Sequence, residues 1–450
     1  MRNYKISTQI LVTLTANVGA IAFGMMLGWS GVTVDDIVDN DEFYFPVSAY
    51  EFSWIVALMP LGAAFSVSFS GLMRDKLGTR LTIFLFVIPI TIGYTLITLP
   101  LNIEMLLAGR FLIGITAGCY VFVPIFYVGE IASIEIRGAL LAFFFFMVNF
   151  GVLVIFIIGH FASLIAVNAT CGIVPILYSI AFIFLRESPA MLIYKNRIEE
   201  AKECILFLRG ATYNYQAEID DLKIRIQTFQ DRIGFRKIFT TKSTRKALFL
   251  IMGMFFFFQM SGINILPFYA TMIFSEAGFE FLAGISSIVV ASMQVISCIY
   301  SVVCVDRFGR RPLLISSTAV MSLCLMGIGT YFFLKENSID MSKFMYMPLT
   351  LFCIFVVAFS IGLAPVTYVL LGEFFLFEAK IYVAPLTKVV NFSLAFMIAL
   401  TFVLLVSSVG FGITFYIFAT FNFLGCIFSF LFIPETKGTT LAEIQTILGM

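Results

Sequence analysis

Charge is scarce in this chain. Asp, Glu, Lys and Arg make up 12% of 450 residues, against 60% hydrophobic residues and a mean hydropathy of +1.02. A water-soluble protein of this length has too little interior to hide so much apolar surface, which leaves a polytopic membrane protein. Histidine is also scarce, with His160 its one occurrence. None of the eight cysteines falls in a CxxC, and no acids pair up inside the apolar runs. A metal centre or an intramembrane enzyme therefore lacks its ligands or its dyad, so no metal, no cofactor and no catalytic residue is expected. Cysteines such as Cys119, Cys298 and Cys426 lie in apolar runs and read as small buried hydrophobes. The pattern GxxxxGK[ST] does not occur, which removes an ATP-driven pump built on a phosphate-binding loop. A net charge of +1 offers nothing to nucleic acid. The N-terminus has no small-residue cleavage site, so its apolar run is expected to be a first span.

What the chain does have is long apolar runs. Crossing a bilayer takes roughly 20 residues of helix, and twelve runs qualify: 8–32, 52–73, 81–100, 104–129, 138–162 and 165–185, then 246–274, 281–305, 312–334, 346–372, 382–406 and 411–433. A polar segment separates the two sets. The expected organisation is an all-α membrane protein with one six-helix bundle over 1–186, a helical linker over 187–244, a second bundle over 245–434 and a short tail over 435–450. Bases collect after the second run (Arg74, Lys76, Arg80), after the eighth (Arg307, Arg310, Arg311) and in the linker. The loop after the first run is acidic, with Asp35, Asp36, Asp39, Asp41 and Glu42. By the positive-inside rule, linker and both termini are cytosolic.

The halves repeat. RDKLGTR (74–80) answers DRFGRRP (306–312), GEIASIEIR (129–137) answers GEFFLFEAK (372–380), and RESP (186–189) answers PETKG (434–438). Three acid-bearing motifs in one order indicate a duplicated unit, an arrangement suited to alternating access. Charges at helix ends can be mere solvated flanks. Recurring at one end of both halves, they also suit a clasp: Asp75, Arg80, Glu130, Arg137 and Glu187 in one half, and Asp306, Arg310, Arg311, Glu373, Lys380 and Glu435 in the other. Arg110 and Lys388 lie within spans, where an ionisable group is a functional candidate unless it snorkels.

Polar side chains also stand in the oil: Gln259, Asn264 and Tyr269 in the seventh run, Gln294 in the eighth, Tyr368 in the tenth and Asn391 in the eleventh. Such groups either glue helices together or line a site for a ligand rich in hydroxyls. Gln259 and Asn264 are five apart, about 140° around a regular helix. Both face one cavity only if the helix unwinds, and Gly262 and Pro267 supply the break. Pro365 offers a similar hinge in the tenth run. His160 reads as an interfacial packing residue. Asn168-Ala-Thr170 is a glycosylation sequon close to the membrane.

Together these motifs resemble the sugar porter family of the major facilitator superfamily. They are GLMRDKLGTR (71–80), GRFLIGITAG (109–118), GEIASIEIRGAL (129–140), RESPAMLIYKNR (186–197), QMSGIN (259–264), DRFGRRP and PETKG. Within the family the facilitative glucose transporters and the insect facilitated trehalose transporters are most similar, the latter through Gly28-Trp29-Ser30 and Gln294. The resemblance implies the major facilitator fold and a monomeric carrier in the plasma membrane. It implies a sugar site at Gln259, Asn264 and Asn391, a cytosolic ion-pair network, and a structural or gating role for Arg110. The chain also departs from the pattern. Thr79 replaces a base and Lys380 an arginine. Phe145 and Phe258 stand where the family has glutamines, and Tyr368, in APVTYV, where it has tryptophan. Met26 stands where proton-coupled members carry an aspartate, so uniport of a hexose or trehalose is expected. A carrier of another small organic solute and a transporter-like sugar sensor are the alternatives. A sensor would often carry a long signalling tail, and only 434–450 follow the last run.

Overall fold

The computed structural model describes residues 6–38, 45–230, 242–279, 282–375, 377–439 and 441–449. The acidic residues Asp39, Asp41 and Glu42 lie outside these, as do the side chains of Asp306 and Lys380. Every described element is helical. Among the described residues, eleven stretches are long and apolar enough to cross a membrane. The last of them, Tyr382–Phe432, breaks at Gly410 (φ 84°, ψ 168°) and so makes two spans, giving twelve. The chain is a multi-pass membrane protein built as two six-helix halves.

Spans 1 to 6 are Ile6–Ile37, Ala49–Leu77, Thr79–Thr98, Ile103–Ile131, Ile134–Phe161 and Leu164–Ile183. Spans 7 to 10 are Lys242–Glu276, Ala283–Phe308, Arg310–Glu336 and Ser342–Phe374; spans 11 and 12 are 377–409 and 411–432. Span 1 outruns its apolar run by a turn, and the Thr33 hydroxyl folds back onto the Trp29 carbonyl at 2.9 Å. Span 10 widens into a π-turn at Phe359–Leu363 just before Pro365, which has no N–H to give to a regular helix.

Close backbone approach holds the N-terminal half together. A Cβ on Gly62 would meet the Phe111 carbonyl at 2.3 Å, and one on Gly114 the Met59 carbonyl at 2.2 Å, so spans 2 and 4 touch through bare backbone. Spans 1 with 7, 2 with 11 and 5 with 8 join the halves. The linker forms helices Pro189–Tyr194, Ile198–Arg209 and Tyr215–Gln230. It is fastened to the N-terminal half: Gln9 donates to Leu208 O (3.2 Å) and accepts from Ser133 N (2.9 Å), while buried Arg209 donates to Ile131 O (2.8 Å) and pairs with Glu218 (3.0 Å). This face of the bundle is called the linker end below.

Candidate functional site

The seventh span is broken where its sequence is polar. Helix Lys242–Met260 stops, a turn runs over 261–264, and helix Ile265–Glu276 resumes. Gly262 takes φ +83°, a left-handed conformation that a side chain resists. The turn's polar groups find partners. Ser261 Oγ donates to Phe258 O (2.7 Å), and Asn422 of span 12 donates to Ser261 O (3.1 Å). Irregular backbone inside a span persists only when satisfied in this way. Pro267 sits in the first turn of the second helix, where its missing N–H costs nothing.

The break aligns three amides. Asn264 Nδ2 donates to Gln259 Oε1 at 2.7 Å, and Gln259 Nε2 donates to Asn391 Oδ1 of span 11 at 2.8 Å. Gln259 is 1% exposed and Asn391 7%. Each amide retains donors and acceptors that a sugar hydroxyl could use. The other three expected pocket residues take no part in this amide chain. Tyr269 is fully buried and donates to Ala399 O at 2.7 Å, a helix-to-helix bond. Gln294 lines a separate small crevice with Val152, Phe156, Leu266, Pro267 and Ala270. Tyr368 belongs to an aromatic group.

That group brings together three of the family departures, Phe145, Phe258 and Tyr368. The Tyr368 ring lies 4.6 Å from Phe145, 5.4 Å from Phe255 and 6.2 Å from Phe258 between centroids. Phe145 is on span 5, so the group spans both halves. Lys388 closes it, with Nζ 3.0 Å from the Tyr368 hydroxyl and 4.4 Å from the ring centroid.

Away from the linker end the halves meet tightly. Thr271 Oγ1 donates to Gly31 O at 2.8 Å, and a Cβ on Gly31 would fall 2.5 Å from Pro267 O. His160 packs against Gly284. Arg110 is fully buried, donating to Ile55 O (3.2 Å) and Met26 O (3.4 Å) with its guanidinium 4.6 Å from the Trp29 ring. Trp29 Nε1 donates to Asn168 Oδ1 at 2.6 Å. Asn168 is thus 1% exposed inside span 6, with no room for a glycan in this conformation.

At the linker end each half carries an acid held by a base and a hydroxyl. Glu130 takes Arg74 at 2.5 Å and the Ser188 hydroxyl; Glu373 takes Arg310 at 2.9 Å and the Thr436 hydroxyl at 2.5 Å. Glu435 accepts the backbone N–H of Arg310 (3.0 Å) and Arg311 (3.1 Å), capping span 9. Burial acts to raise its carboxyl, but the N–H groups of Arg310, Lys437, Arg311 and Thr436 together hold it below the usual carboxylate range. Glu187 stands in the equivalent place, 3.4 Å from Arg80 N at the start of span 3. Asp75 is 58% exposed and 4.0 Å from Arg74. Arg137 donates to Ala132 O at 3.1 Å. Sequence reasoning missed Arg74, Ser188 and Thr436 as partners, although a hydroxyl follows the acid in both RES and PET. It also missed Glu336, which caps span 12 through Phe411 N at 2.6 Å.

The family described as sugar (and other) transporter matches residues 12–448. A facilitated trehalose transporter of Bombyx mori is 31% identical over 444 residues, covering 97% of this chain and 86% of that protein. Those of Drosophila erecta (29% over 441 residues) and Anopheles gambiae (28% over 440) also align with 97% of this chain, which spans 51% and 56% of their lengths. Among solved structures, the partially occluded inward-open xylose transporter XylE of E. coli superposes with a TM-score of 0.82 at 21% identity, covering 96% of this chain and all of that one.

Proposed function

We propose that this chain, which belongs to the sugar transporter family, carries a hexose or trehalose down its gradient by alternating access. The family is one of carriers, not enzymes. The observation that carries the reading is the chain of three amides, Asn264–Gln259–Asn391, made continuous by a break in span 7. Neutral donor and acceptor groups at mid-span suit a neutral polyol, and a charged ligand is not required for them. The moving parts are the halves over 1–186 and 245–434. The linker over 187–244 and the tail over 435–450 lie with both termini in the cytosol, and the unit works as a monomer in the plasma membrane.

The turn at 261–264 is the hinge, and the π-turn before Pro365 gives span 10 a second one. The two acid–base clasps hold the linker end of each half, and their loosening accompanies opening to that side. Trehalose is supported as substrate by the insect relatives' names. A uniport mechanism is supported by Met26, which is fully buried where a proton-coupled carrier would need a carboxylate. The test is uptake of labelled trehalose, glucose and fructose in a cell lacking endogenous hexose transport. At least one should enter, with accumulation stopping at the external concentration and persisting under a protonophore. Collapse of uptake under the protonophore at a constant sugar gradient would overturn uniport. No entry of any sugar, with the protein at the surface, would favour a sensor or another solute.

A further inference from the structure

The lysine inside span 11 has a geometry that snorkelling does not explain. A snorkelling lysine runs its stem to the membrane surface to place its ammonium in water. Lys388 instead lays its ammonium on the face of Tyr368 and bonds the hydroxyl at 3.0 Å. Among the described residues no carboxylate lies within ion-pair distance of it. Lys388 stands three residues before Asn391, so both lie on one face of span 11. Asn391 is the end of the amide chain. The ammonium therefore lies on the side of span 11 that carries the amide chain, beside the packed rings of Phe145, Phe255, Phe258 and Tyr368.

From this we infer that the pocket also accepts sugars bearing a single carboxylate, with Lys388 and Tyr368 as the carboxylate subsite. The inference rests on the reading of the amide chain as the sugar site. An ammonium has three hydrogens, and the Tyr368 hydroxyl occupies one. That hydroxyl accepts from lysine and so keeps its own hydrogen to give. Two donors, 3.0 Å apart, match the two oxygens of one carboxylate. The charge count selects the class. One ammonium neutralises a monoanion, whereas a phosphate ester near its dianionic form would leave a net charge in the membrane interior. Arg110 does not supply a second cation, being held by two backbone carbonyls and Trp29. The replacement of family amides by Phe145 and Phe258 fits as well. Apolar walls leave the ammonium no competing acceptors and strengthen the one charge present.

The experiment is uptake of labelled glucuronate at pH 7, alongside labelled trehalose and glucose, in transport-null cells expressing wild type, Lys388→Met and Lys388→Arg at measured surface levels. Wild type is expected to take up glucuronate, and glucuronate to compete with the neutral sugar. The ratio of glucuronate to neutral-sugar uptake should fall at least tenfold in Lys388→Met and be largely restored in Lys388→Arg. Neutral-sugar uptake without glucuronate uptake or competition in wild type would overturn the subsite and leave the proposed function standing. So would an unchanged ratio in Lys388→Met. Uptake of glucuronate without any neutral sugar would overturn the neutral-sugar reading and keep the lysine site. Wild-type competition decides the matter even if a variant fails to reach the surface.

Discussion

The linker ends of the two halves solve one problem with different residues. In both, a glutamate at the end of a span accepts a base from one side and a hydroxyl from the other: Arg74, Glu130 and Ser188 in the first half, Arg310, Glu373 and Thr436 in the second. In both, the acid just before that hydroxyl sits against a glycine of matching backbone, Gly78 (φ 97°) and Gly309 (φ 88°), at the head of the next helix. What differs is the origin of the base. In the second half it follows the glycine. In the first half that position is Thr79, buried with its hydroxyl unpartnered, and the base comes from Arg74, one turn earlier in span 2. The acid's environment is kept while the residue that supplies the charge moves. A guanidinium on a long stem can reach one carboxylate from either side of a turn, so geometry tolerates what a residue-by-residue reading counts as a loss.

Glu130→Gln or Glu373→Gln should have the largest effect, because each removes the nearest carboxylate from a guanidinium that is 12% or 14% exposed. Breaking a fully buried pair costs about 3–5 kcal/mol; with partial exposure, a shift of at least about 1.4 kcal/mol in the two-state balance, and so a tenfold fall in uptake per surface molecule, is expected. Arg74→Ala should fall nearly as far, and adding Thr79→Arg should recover uptake to within about threefold of wild type, since ~0.7 kcal/mol separates them. Failure of that rescue would mean the halves are not equivalent. The mirrored change, Arg310→Thr with Val305→Arg, asks the same of the second half. Glu435→Gln removes a cap and should cost about 0.5–2 kcal/mol, seen as a lower thermal midpoint in detergent. It has a pH signature. The folded carboxyl titrates below its unfolded value, so its stabilisation is present above about pH 4.3 and is lost as pH falls through the folded value. The variant should lack that part of the acid limb. Smallest is Asp75→Asn, at an exposed site worth under about 1 kcal/mol, with uptake within twofold of wild type.

The spans and the break were readable because both rest on strong local signals. Long apolar runs have few alternatives, and a glycine beside amides in oil has a specific use. The amide chain followed, since Gln259 and Asn264 can meet only across an unwound turn. Tyr269 and Gln294 show where that reasoning stops. A polar side chain in a span needs a partner, and the pattern does not say whether the partner is a ligand or a neighbouring helix. Tyr269 found the Ala399 carbonyl. Long-range pairings were not legible for the same reason. The Trp29–Asn168 bond and the Glu336 cap on span 12 join residues 139 and 75 positions apart, and neither side announces the other. The aromatic group is intermediate. Phe145, Phe258 and Tyr368 each depart from the family pattern, but only the packing shows that they meet.

Equilibrium binding tests most directly whether the three amides hold the sugar. The sugar identified by uptake is titrated against purified wild-type and Asn391→Ala protein whose thermal midpoints agree. Loss of one hydrogen-bond partner and disruption of the chain behind it should weaken binding about tenfold, or ~1.4 kcal/mol. An unchanged dissociation constant in a folded Asn391→Ala protein would contradict the account and place the sugar elsewhere.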